Sequence, residues 1–157
     1  MKHYRIFSFI LLFICAAFGQ SCSISSSGRE VLDMNTDWAF YRGDVVEGSR
    51  TDLDDSGWIP VALPHIMQLE MKHCGGNSIY GGIGWYRRYF KLPAKYKDKR
   101  IVVSFEGVMT NCDVYLNGQK VTEHHGGYMG FVADLTDRID WNGNNVLAVR
   151  VSVPSVE

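Results

Sequence analysis

The sequence predicts an all-β fold, a sandwich or a barrel. Three observations predict it. About eight short segments alternate apolar with polar residues and are separated by turn signals. No amphipathic pattern runs longer than a single helical turn. Asn117-Gly118 sits between DVYL and QKVT, and Asn-Gly is the strongest short hairpin signal because both residues tolerate the positive φ of a type I′ turn. The chain is organised around the run from Gly81 to Gly118, which reads as three consecutive strands and their connections. No internal repeat is visible.

The elements follow in order. Asn35 to Tyr41 is a short first strand with Trp38 and Phe40 on one face. Arg42 to Gly57 is charged and holds Gly43, Gly48 and Gly57, so it reads as an exposed loop. In Trp58 to Pro64 the prolines cannot donate to a ladder, which makes this an edge strand or an extended loop. Gln68 to Gly84 contains five glycines and reads as a long permissive loop. Trp85 to Leu92 carries Trp85 and Tyr89 on one face and Tyr86 and Phe90 on the other, the pattern of a central strand covered on both sides. Arg100 to Glu106 alternates cleanly, with Ile101, Val103 and Phe105 together. Cys112, Val114 and Leu116 form the inner set of the next strand, and Gln119 to Glu123 returns after the turn. Gly126-Gly127 breaks that strand, Phe131 to Leu135 is another, and Thr136 to Ile139 is one helical turn capped by Thr136 or Asp134. After the turn at Asn142–Asn145, Val146 to Val153 closes the series, with Leu147, Val149, Val151 and Val153 on one face.

The first 22 residues read as a secretory signal. Lys2 and Arg5 precede the apolar run Ile6–Phe18, and Ala17 and Gly19 supply the small residues of a cleavage site. That run is shorter than the roughly 20 residues a membrane-spanning helix needs. Cys22 follows Gly19-Gln20-Ser21, and residues 23–30 are a polar tether. A lipid on Cys22 would attach the chain to a membrane surface. The expected location is therefore the exterior of the cytoplasm: periplasmic, or held at an outer membrane as a lipoprotein. Residues 31–157 form one domain by size. Without Lys2 and Arg5 the chain has 14 basic and 17 acidic residues and no basic stripe, which argues against nucleic acid as a partner.

Candidate sites are few. Asp52, Asp54 and Asp55 lie close together, but the loop lacks the glycine and closing glutamate of a calcium-binding hand, so a solvated loop is the favoured reading. His73-Cys74 and His124-His125 do not have zinc-ligand spacing, and adjacent histidines on a strand point to opposite faces. No metal or other cofactor is expected. Cys74 and Cys112 are the cysteines beyond the tether; an exported chain permits a disulfide between them, and two free thiols, with Cys112 on a core-facing position, are the competing reading. Nothing in the sequence fixes a second carboxylate at a defined distance from Glu106, as a paired-acid mechanism would need. The segment Asn77–Trp85 is the best candidate for binding. Asn77 offers a donor and an acceptor for sugar hydroxyls, and Tyr80 or Trp85 offers an aromatic face for a pyranose ring; a plain connecting loop is the alternative.

The blocks WAFYRGD, WIPVALPH, YGGIGWYRRYF, FEGVMTNCDVYLNGQKV, HHGGYMGFVADLTDRI and NNVLAVRV occur in that order. Together, over roughly Val31 to Val153, they resemble the N-terminal domain of glycoside hydrolase family 2, the β-galactosidase and β-glucuronidase group. The resemblance implies a jelly-roll β-sandwich of galactose-binding-domain type, often called the sugar-binding domain. In that family it precedes an immunoglobulin-like sandwich and a catalytic (β/α)8 barrel whose two glutamates do the chemistry. The resemblance further implies one more jelly-roll strand after VLAVRV, so that the domain at residues 31–157 is expected to lack its last strand and to be incomplete at the C-terminus. It also implies an amide side chain near Asn77 that touches substrate, and a carbohydrate partner, a β-galactoside or related glycan, met through the full-length enzyme. On this reading the chain is non-catalytic by itself. The alternative is a free-standing carbohydrate-binding module or surface lipoprotein.

Overall fold

The computed structural model describes residues 28–67 and 81–154. The signal segment, Cys22, Cys74, Asn77 and Tyr80 lie outside the described residues. Residues 28–32 belong to a unit separate from the domain that begins at Asp33, and they carry no strand.

Among the described residues, eight strands build the domain: β1 Trp38–Arg42, β2 Ile59–Val61, β3 Gly82–Phe90, β4 Val102–Phe105, β5 Asn111–Leu116, β6 Gln119–His125, β7 Phe131–Asp134 and β8 Asn145–Val153. Two one-turn 3-10 helices among them, Ala94–Tyr96 and Thr136–Arg138, interrupt the connections. Six strands form one antiparallel sheet in the order β2-β1-β3-β8-β5-β6, and β4 pairs with β7 in a second. The all-β sandwich expected from the sequence is the observed fold.

Alternation sets the inner face. Cys112, Val114 and Leu116 are buried while Asp113, Tyr115 and Asn111 keep partial exposure. The register places Phe40, Tyr86, Val149 and Val114 in one inner row, directly opposed across four strands. The core joins these residues to Ala133 and Leu135, with Val103, Phe105 and Phe131 of the small sheet packed against it. Burying each of Leu116, Leu147 and Val114, all fully enclosed, contributes about 1.5–3 kcal/mol.

The Asn-Gly hairpin forms as read: Asn117 has φ 51 and Gly118 φ 82. Asn117 also does more than turn the chain. Its Nδ2 donates to Asn145 Oδ1 (2.8 Å) and to the Arg138 carbonyl (3.1 Å), and its Oδ1 accepts from the Val146 amide (2.9 Å). The buried Asn145 amide returns a bond to the Asp140 carbonyl, so the hairpin clamps the start of β8.

Several boundaries differ from the sequence reading by one to three residues. β1 begins at Trp38, after Asp37 in a left-handed conformation (φ 62). β3 begins at Gly82, inside the segment read as a glycine loop. Gly84 belongs to the strand because Met67 occupies the space beside it: a Cβ there would lie 2.3 Å from the Met67 sulfur and 3.0 Å from the Phe40 ring. The proline-bearing β2 is an edge strand, which suits the missing amide of Pro60. Cys112 is a free, buried thiol on the core-facing position expected for it, pushed up to about 11 chiefly by burial; Cys74, its partner in the disulfide reading, lies outside the described residues.

One inner-row residue breaks the apolar pattern. Trp38, Arg88 and Leu147 are directly opposed. The Arg88 Nε and Nη1 are buried without a hydrogen-bond partner, and Nη2 stands 4.0 Å from Asp37 Oδ2.

Candidate functional site

The flanks of segment 68–80 are fixed by side chains that the sequence places next to it. Met67 is buried over Gly84, and the Arg42 guanidinium donates to the Met67 carbonyl. On the other flank, Gly82 pairs with Val153. Behind Met67, the Phe40 ring lies 4.7 Å from His65 and 4.8 Å from Tyr86. His65 Nδ1 and the Tyr86 hydroxyl are 2.9 Å apart. Burial, then the Arg42 charge, holds His65 below its ordinary value, and burial pushes the Tyr86 phenol up. Both rings are therefore neutral at pH 7, and the phenol keeps a proton to donate to Nδ1.

Of the three sugar-binding candidates read from the sequence, Trp85 alone is described. Its indole is 4% exposed. Nε1 donates to Asp44 Oδ1 at 3.1 Å, Gly48 lies against the ring, and Tyr115 is 5.8 Å away. The ring thus lies under the loop that follows β1 rather than open to a pyranose.

That loop makes the outer face of the large sheet a second packed layer. Arg87, on the same side of β3 as Trp85, has no exposed surface. Its Nε donates to Asp55 Oδ2 (2.7 Å), Nη1 to the Gly48 and Arg50 carbonyls (2.6 and 2.9 Å), and Nη2 to the Tyr89 hydroxyl (3.0 Å). The Tyr89 hydroxyl in turn donates to the same Asp55 oxygen at 3.0 Å. Every guanidinium nitrogen is used, which is what a buried cation requires. Asp44 pins the loop a second time, accepting from Arg150 Nε (3.1 Å) and Nη2 (2.7 Å). The Arg150 bond is the main reason its carboxyl falls to about 2.

Asp52 and Asp54 behave as loop groups. Asp52 and Glu47 bracket Arg50, and Asp54 accepts the Ser56 amide. Asp55 does not behave so: it is the counter-ion of Arg87, with 15% of its side chain exposed. Above Arg87 stand Trp58, 5.8 Å from the guanidinium carbon, and Tyr89, at 5.7 Å. Tyr41 continues the group 5.5 Å from Trp58. The sequence reading did not single out Arg87, Tyr41 or Trp58. The one signal available was strand alternation, which puts Arg87 between Trp85 and Tyr89 on one face.

His124 and His125 point to opposite faces, as strand geometry requires. His124 stacks on Phe131 (4.3 Å), which stacks on Phe105 (4.7 Å), while His125 Nδ1 contacts Asn111 Oδ1 at 3.2 Å. Glu106 is exposed, just past the end of β4.

A two-sheet antiparallel sandwich, packed on both faces of its larger sheet and rich in aromatic rings, defines the class: an all-β sandwich domain. The family model described as glycosyl hydrolases family 2, sugar binding domain, matches residues 71–155, more than half of the chain. The chain belongs to that family. It is 39% identical over 125 residues to a β-galactosidase of Thermoanaerobacter pseudethanolicus, covering 79% of this chain and 17% of the relative. A β-galactosidase of Bacteroides ovatus is 36% identical over 140 residues, with 83% and 16% covered. Among solved structures, the β-glucuronidase of Bacteroides uniformis superposes with a TM-score of 0.75 at 31% identity, over 80% of this chain and 15% of that one. The chain spans less than a fifth of the length of these relatives.

Proposed function

We propose that the chain is the accessory sugar-binding domain of an exported family 2 glycosidase and does not hydrolyse glycosides by itself. One observation carries this reading: the match is to the family's sugar-binding model, and it reaches less than a fifth of the two β-galactosidase relatives. A retaining hydrolase needs two carboxyl groups about 5–5.5 Å apart, and in the family those come from the barrel. In the intact enzyme this domain packs on the barrel and shapes access to it. Segment 68–80 is the part proposed to reach substrate, with Asn77 bonding a sugar hydroxyl and Tyr80 offering a ring. Its flanks at Met67 and Gly82 are anchored in the sandwich, which suits a loop that must hold a fixed position. Export through the signal at residues 1–22, and lipid on Cys22, belong to the same proposal.

The test is an assay of the purified chain on aryl β-galactosides and β-glucuronides, beside a longer product of the same reading frame. The chain is expected to be inactive and the longer product active. Turnover that co-purifies with the folded chain overturns the proposal. Intact-mass measurement of the secreted N-terminus reads cleavage and acylation at Cys22 directly.

A further inference from the structure

The outer-layer aromatics have a use that packing does not explain. Tyr41, Trp58 and Tyr89 line up over the buried Arg87: Tyr41 to the half-buried Trp58 is 5.5 Å, Trp58 to the Arg87 guanidinium 5.8 Å, and that guanidinium to Tyr89 5.7 Å. Tyr41 opposes Trp85 in the sheet, and Tyr89 lies four residues further along β3. The strip is therefore about 13 Å long at the rise of a strand. Tyr41 and Tyr89 each keep 42% of their surface in water although a packed layer lies directly beneath them.

We propose that this strip binds a neutral, β-linked oligosaccharide. The C–H faces of successive sugar rings would lie on Tyr41, Trp58 and Tyr89, and the polar groups between the rings would meet the hydroxyls. Asp55 supplies an acceptor there. Its Oδ2 is taken by Arg87 and Tyr89, while Oδ1 has no partner among the described residues. The surface is already built. The Trp58 amide is held by the Asp55 carbonyl at 2.9 Å, Arg87 is locked below it by four bonds, and the Tyr89 hydroxyl is fixed. Little ordering is left for a ligand to impose.

Charge selects against an acidic glycan. Asp52 and Asp54 flank Asp55 and are exposed. Hydrogen bonds, from Arg50 to Asp52 and from Ser56 to Asp54, hold both below the ordinary carboxylate value, so both are anionic at neutral pH. Arg50 is occupied by Glu47 and Asp52, and Arg87 is buried by its own partners. A uronate would meet the negative charge of Asp52 and Asp54 on this rim. The length of the strip favours an oligosaccharide over a single sugar.

Titration calorimetry of the purified chain at pH 7 tests this, with cellotetraose, xylotetraose and β-1,4-galactotetraose as neutral probes and tetragalacturonate as the acidic one. At least one neutral probe is expected to bind. Trp58→Ala should weaken it about tenfold, the loss of one well-placed ring contact, and Tyr41→Ala should weaken it severalfold. Tyr128→Ala, on the β6–β7 connection and 89% exposed, should leave it unchanged. A melting curve on each variant separates lost binding from lost fold, and Tyr41→Ala stands in if Trp58→Ala does not fold. Silence from all three neutral probes, unaltered affinity in both ring variants, or tighter binding of tetragalacturonate overturns the proposal. The result is separable from the hydrolase assay: a chain without turnover can bind here, and a chain that fails to bind leaves the glycosidase reading in place.

Discussion

Asp55→Ala tests whether the outer layer is held by one ion pair. Arg87 is fully enclosed and Asp55 nearly so, with Nε and Oδ2 2.7 Å apart. Truncating the acid leaves a guanidinium in the protein with its Nε unpaired, and the Tyr89 hydroxyl loses its acceptor. Removing one partner of a buried pair costs about 3–5 kcal/mol. The lower figure applies here, because the Gly48 and Arg50 carbonyls still bind Nη1. A loss of about 3 kcal/mol lowers Tm by about 10 °C in a domain of this size. Urea unfolding should show a lower midpoint at an unchanged slope. In Arg87→Met/Asp55→Ala the loss should fall well short of the sum of the single losses, because the two groups share one network. An Asp55→Ala protein within about 0.5 kcal/mol of the parent, the range of an ordinary surface change, would refute the argument.

Gly48→Ala places a Cβ 2.7–3.0 Å from three indole atoms of Trp85, a ring held by its bond to Asp44; it should cost about 1–3 kcal/mol, read as a fall in urea midpoint. Asp44 lies near 2, below its ordinary 3.8, so its contribution is present above about pH 4 and is lost as pH falls through about 2. Asp44→Asn should therefore be less stable than the parent at pH 6, with the gap closing between pH 4 and pH 2 in parallel thermal melts. Cys112, with its thiol near 11 and 3% exposed, should resist alkylation at pH 8 until the protein unfolds, as read by peptide mass mapping. Arg88→Met replaces a guanidinium with two unpartnered nitrogens. Stability should hold or rise by about 1 kcal/mol, and a loss above about 2 kcal/mol would show that Arg88 has an acceptor in the folded chain.

The parts of the fold that repeat with a short period were legible in the sequence. Cys112, Val114 and Leu116 alternate against less buried neighbours, and so do the residues of β4, so their inner faces could be read directly, whereas β8 is buried on both faces over most of its length. Asn117-Gly118 and the prolines beside Ile59 are local signals, because φ and a missing amide are properties of single residues. The start of β3 was not legible. Gly82 and Gly84 look like loop until Met67 is known to fill the space a side chain would need. The outer layer was not legible either. Asp55 and Arg87 are far apart in sequence, and only the fold-back of the loop after β1 makes them partners. The same fold-back turned Trp85 from a candidate platform into a covered ring, and left Tyr41 exposed with Trp58 half-buried beside it.

The place of β8 has a consequence for how the chain is made. It lies between β3 and β5, joining Phe90 to Asn145 and Cys112 to Val151, and it is the last described strand to leave the ribosome. Until it arrives, β2-β1-β3 and β5-β6 are two separate ribbons, each with a raw border. Pairings this distant in sequence fold slowly, and synthesis at about 5–20 residues per second keeps those borders bare in the meantime. The nascent chain therefore has a built-in delay, during which a holding chaperone has two strands to shield, and the sandwich closes in one late step.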